Sequence, residues 1–91
     1  MYAKDANLSQ QEMISITEAA FLPHKCSAEF TDYDNIFRFS VKTNKLRHFR
    51  SPEINAVAAS NASRLEEAID FLRRQILNAG ADLDSWTFPQ V

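Results

Sequence analysis

Three side chains in this 91-residue chain are of types suited to nucleophilic or metal chemistry: His24, Cys26 and His48. His24 and Cys26 are two apart, so in an extended segment they share one side, as a thiol–imidazole pair requires. A reactive thiolate also needs an electropositive, accessible setting and an oriented base. Cys26 is instead in step with Ala28 and Phe30, which predicts that it faces a core, the usual place of a free cysteine. A metal would need His48 to meet the first strand, and the paired ligand spacing of zinc sites is absent. The carboxylates do not converge. Asp32 and Asp34 fall in a turn cluster, where such side chains bond to nearby backbone. Glu66, Glu67 and Asp70 lie off the apolar stripe of a helix and near its N-terminal dipole. Gly80 is the only glycine, so a phosphate-cradling loop, which needs several, is excluded. No catalytic residue, metal site or cofactor is expected, and the chain reads as non-enzymatic.

The remaining chemical feature is a run of cations. Between Ile36 and Pro52 stand Arg38, Lys42, Lys45, Arg47 and Arg50 without an acid, in a chain of 10 basic and 12 acidic residues with net charge −2. Glu12, Glu18, Glu66, Glu67 and Asp70 make the helices acidic, so a cationic sheet is set against anionic helices. With Phe49 as an aromatic among them, Arg38, Lys42, Lys45 and Arg47 form a candidate binding surface. Cations would hold phosphates there and the ring would stack on a base. The alternative is a solvated face whose lysines deter edge-to-edge aggregation.

Positioning these residues requires the following elements. Ser9 and Glu12 have the spacing of a capping box, with Leu8 and Met13 placed as a hydrophobic staple. Met13, Ile16 and Ala20 then form a helical stripe, which Pro23 ends. Residues 24 to 31 alternate as a strand, Asp32 to Asn35 form a turn, and Ile36 to Lys42 alternate again with Phe37, Phe39 and Val41 inward. A third strand over Lys45 to Arg50 is expected to pair back through a Thr43–Asn44 turn. In that register Val41 faces Leu46 and Phe39 faces His48 on the core side, while Arg38 faces Phe49 and Ser40 faces Arg47 outside. Ser51-Pro52-Glu53 is expected to open a short helical turn. The last helix begins near Asn61 or Ser63, carries Leu65, Ala68, Ile69, Leu72, Ile76 and Ala79 as its stripe, and ends at Gly80. Phe71 and Leu77 fall off that stripe. With Trp86 and Phe88 of the tail they make a candidate partner edge.

The fold class is therefore α+β, in the order helix–strand–strand–strand–helix: a three-stranded antiparallel meander with both long helices on one face. Residues 1–7 are expected to be flexible, 8–80 to form a single domain, and 81–91 to form a docked tail. A hydrophobic content of 45% with seven phenylalanines suffices for one core, and a chain of this length buries about 60–65% of its unfolded surface. The lone cysteine, the absence of a leader-like N-terminus and the absence of a run of about 20 apolar residues predict a cytoplasmic protein that does not enter a membrane.

The element order, with Pro23-His24-Lys25 and Phe30, superficially resembles a double-stranded-RNA-binding domain. It departs from that family at the start of the last helix, where Glu66, Glu67 and Asp70 stand in place of lysines that meet phosphate. The chain is more similar to small bacterial domains of unknown function. Ala20-Phe21-Leu22-Pro23 closes the first helix in the way theirs closes, and Arg64-Leu65, Ile69 and Arg73-Arg74 match their closing helix over roughly residues 13 to 80. That resemblance implies no activity. The residues point to a protein-interaction or regulatory module, dimeric or with another protein partner. The second expectation is sequence-tolerant binding of RNA or single-stranded DNA by the basic sheet face.

Overall fold

A computed structural model describes residues 7–43 and 47–89. Helix α1 (Gln10–Ala19) starts at the predicted box: the Ser9 hydroxyl accepts from the Glu12 backbone N–H, and the Glu12 carboxylate accepts from the Ser9 N–H. Met13, Ile16 and Thr17 are its buried residues, and the Thr17 hydroxyl donates to the Met13 carbonyl at 2.7 Å, so no polar group is buried unpaired there. The chain leaves the helix through Phe21 and a cis Leu22–Pro23 bond.

The strands β1 (Lys25–Thr31) and β2 (Ile36–Lys42) form a regular antiparallel hairpin, and β3 (His48–Arg50) pairs on the far side of β2. A two-residue strand, β4 (Ile54–Asn55), also pairs with β2. Up to Ser40↔Arg50 one register holds, continued by the Ser51 N–H donating to the Phe39 carbonyl; at Phe37↔Ile54 it has advanced by one residue. Pro52 and Glu53 together stand opposite Arg38, which is a β-bulge, and a proline without an N–H is tolerated there. The third strand of the meander is thus bent into β3 and β4. Ser51 continues the β3 register and Pro52 and Glu53 form this bulge, in place of the predicted helical turn. The short helix α2 (Ala56–Ala59) follows, capped by Asn55.

Helix α3 (Ala62–Asn78) is capped by the Asn61 side chain, which accepts from Arg64 N–H, and not by Ser63. It buries Ala62, Leu65, Ile69, Leu72 and Ile76. At its end Gly80 takes φ +93°, its N–H donates to Leu77 and the Ala81 N–H to Ile76. This is the left-handed closure that a glycine allows without steric cost.

Both long helices cover the same side of the sheet. Met13 and Ile16 of α1 and the α3 stripe join Phe37, Phe39 and Val41 of β2 in one core. Phe21 packs its ring 5.7 Å from that of Phe39. Phe21, Phe37 and Phe39 are almost wholly buried, each contributing about 2–3 kcal/mol of transfer free energy. Of the tail, residues 81–89 lie among the described residues. Phe88 is buried and meets Trp86 edge to face at 6.0 Å, and Arg73 spans the seam. The Arg73 guanidinium donates to the carbonyls of Ala20 and Asp84 and lies 5.6 Å from the Trp86 ring. Of the segment expected to be flexible only Asn7 lies among the described residues, and it bridges to Asn61.

Candidate functional site

The sheet has one face without helices, and the ladders decide which side chains stand on it. In β2 these are Arg38, Ser40 and Lys42, the residues between the buried Phe37, Phe39 and Val41. Their partners in β1 are Glu29, Ser27 and Lys25. In β3, Arg50 stands opposite Ser40 and His48 opposite Lys42.

This corrects the predicted face. Phe49 pairs with Val41, so it points to the helix side, where it is half-buried against the core. Arg47, opposite Thr43, has the same parity; its guanidinium lies 5.8 Å from the Phe49 ring. Arg38 and Lys42 are on the outer face as expected, Arg47 and Phe49 are not, and Lys45 lies outside the described residues. The gain is Lys25, His48 and Arg50. Sequence alone hid Lys25 because it lies in another segment, and His48 and Arg50 because their face follows from a register.

Across the strands the outer face is graded. One row runs Lys25–Lys42–His48, the next Ser27–Ser40–Arg50, and the third Glu29–Arg38. The bulge adds Glu53 to the third row. Arg38 donates to Glu29 at 2.8 Å and lies 3.6 Å from Glu53. These exposed pairs stabilise by no more than about 1 kcal/mol, but they neutralise Arg38. The other end of the face keeps its charge. A shallow groove of about 420 Å³ follows the middle of the face, lined by Ser27, Ser40, His48, Arg50 and the Arg38 cluster.

On the helix side a second cavity of about 320 Å³ lies between Arg47, Phe49, His24, Thr43 and the end of α3 at Ala79 and Gly80. Here Arg47 faces the negative end of the α3 dipole. The His24 Nε2–H donates to the Asp82 carbonyl at 2.5 Å, fixing the tautomer because a carbonyl only accepts. This pins the docked tail to the start of β1.

Cys26 is on the helix side, as its alternation predicted. Burial, and then the nearby Glu18 carboxylate, push its thiol up from 9.0 to about 12, which opposes thiolate formation. Among the described residues no three metal-ligating side chains gather, and no helix is long and apolar enough to cross a membrane.

The predicted partner edge divides. Phe88 belongs to the core and Trp86 to the tail seam. Phe71 and Leu77 remain about half exposed, but at about 100° per residue they lie about 120° apart, on opposite flanks of the α3 stripe. They do not form one patch.

No protein-family model matches the chain, and neither a curated protein nor a solved structure matches it.

Proposed function

We propose that the chain is a non-enzymatic interaction module whose outer sheet face docks an acidic segment of a protein partner. The observation that carries this is the row Lys25–Lys42–His48, with Arg50 diagonal to it and no carboxylate within it. Cations directly opposite one another across strands repel, so the row is poorly arranged for stability and well arranged to meet an anion.

A protein segment suits the face better than a single-stranded nucleic acid. Stacking of bases needs an aromatic platform, and Phe49 is turned to the helix side. Glu29 and Glu53 at the far end would repel a phosphate backbone running along the groove. An acidic peptide can end its charge at Arg50 and offer hydrogen-bond donors to those carboxylates.

Fluorescence anisotropy with a labelled peptide of alternating Glu and Ser, beside an RNA oligonucleotide of equal charge, tests this over a salt series. The peptide is expected to bind at low salt. Lys42→Ser and Arg50→Ser should each weaken it about 2- to 5-fold, the scale of one exposed ion contact, and Arg64→Ser on the exposed side of α3 should leave it unchanged. RNA binding without peptide binding would transfer the face to nucleic acid. Silence from both probes at low salt would end the proposal.

A further inference from the structure

Strand β1 is an edge with an open hydrogen-bonding row. Thr43 N–H donates to Arg47, and Phe39 and Asn35 carbonyls accept from Ser51 and Ala56. The odd residues of β2 therefore direct their backbone groups toward β3 and β4, and the even ones toward β1. Because an antiparallel ladder alternates, Lys25, Ser27, Glu29 and Thr31 bond to β2. Cys26, Ala28 and Phe30 then direct their N–H and C=O groups away from the sheet, and no backbone partner meets them among the described residues. The strand is seven residues long, without proline or bulge, the form that accepts another strand. Its inward side chains Cys26, Ala28 and Phe30 all stay partly exposed, whereas those of β2 are buried. The core does not close over this edge.

We infer that β1 pairs antiparallel with β1 of a second copy, about a two-fold axis at Ser27, joining two sheets into one. The occupant and the register follow from charge. Lys25 and Glu29 are equally far from Ser27, so the axis at Ser27 sets Lys25 opposite the second copy's Glu29, and Glu29 opposite its Lys25. Moving the axis to Cys26 or Ala28 loses both pairs. Lys25 has no ion-pair partner among the described residues, and Glu29 uses only Oε1 on Arg38. In this register Cys26 and Ala28 exchange backbone bonds, and Ser27 meets its own copy in a close, non-bonded pair. Such a two-fold contact is self-complementary and closed. The pairing engages Lys25 and leaves Lys42, His48 and Arg50 uncovered, so the two proposals share one residue; chain mass reads the pairing and peptide anisotropy reads the docking, and either can fail without the other.

Light scattering of the full chain is expected to give twice the 10.4 kDa chain mass. Ala28→Pro removes an outward N–H that the single chain does not use, and should return the mass to that of one chain with an unchanged circular dichroism spectrum. In a Cys26→Ser background, Ser27→Cys should cross-link under mild oxidation, because Cα atoms of a non-bonded pair lie about 4.5 Å apart, within disulfide reach. Thr31→Cys, displaced by about 27 Å in this register, should not. A single-chain mass at high concentration, or cross-linking of Thr31→Cys as readily as Ser27→Cys, would overturn the inference.

Discussion

Phe49 stands opposite Val41 across the β2–β3 ladder, and this pair assigns the faces of the sheet. It sends Phe49 and Arg47 to the helix side and His48 and Arg50 outward, next to Lys42 and Lys25. Among the described residues the outer face is consequently cationic at its Lys25–Lys42–His48 end and carries no phenylalanine, tyrosine or tryptophan ring, and the Phe49 ring contributes to the core.

Phe49→Ala is expected to lower stability by about 1–3 kcal/mol, less than the ~3–5 of a fully buried phenylalanine because the ring is only half-buried. Arg50→Ala should stay within about 0.5 kcal/mol of the parent, as an exposed position does. Urea unfolding measures both. The opposite ranking would mean that the faces are inverted.

The β1–β2 turn holds Asp32, Tyr33 and Asp34 at φ +54°, +55° and +66°. A left-handed residue with a side chain costs about 1–2 kcal/mol, and Tyr33 is 97% exposed, so it has no packing to lose. Tyr33→Gly should therefore gain about 0.5–1 kcal/mol after the entropy of the unfolded glycine is counted. In thermal unfolding the midpoint should rise by a few degrees, and Tyr33→Ala should not reproduce it.

Cys26 gives stability a dependence on alkaline pH. Its thiol titrates at about 12 when folded, against 9.0 ordinarily. Below 9.0 both states keep the proton and the group has no effect. Between 9.0 and about 12 the unfolded state binds fewer protons than the folded one, so stability falls as pH rises. Urea midpoints at pH 8 and pH 10.5 should separate more for the parent than for Cys26→Ala. Equal separations would show that the thiol is not shielded.

Arg73 fastens the tail through two carbonyls and the Trp86 ring. Charged hydrogen bonds of this type stabilise by about 1.5–3 kcal/mol. Arg73→Ala is expected to lose about 2 kcal/mol, to shift Trp86 fluorescence to the red and to speed proteolysis after residue 80. Arg73→Lys should recover only part, since one ammonium cannot span both carbonyls and the ring as a planar guanidinium does. Unchanged fluorescence in Arg73→Ala would show that Trp86 is held by packing alone.

Features written in neighbouring residues were legible in the sequence. The Ser9–Glu12 box, the α3 stripe from Leu65 to Ile76, the Gly80 closure and the alternation of β1 and β2 all depend on contacts within a few residues, and they fixed the class, the order of elements and the layer. What tertiary structure alone decided was the partner of each strand residue. His48 and Phe49 are neighbours, so a strand cannot turn both inward. The sequence offers either choice, and only packing against Val41 and α3 selects Phe49. From that selection follow the bulge at Pro52–Glu53, the neutralisation of Arg38, and the meeting of Lys25, Lys42 and His48 from three strands. Register is a non-local equilibrium between whole faces, and no local propensity encodes it.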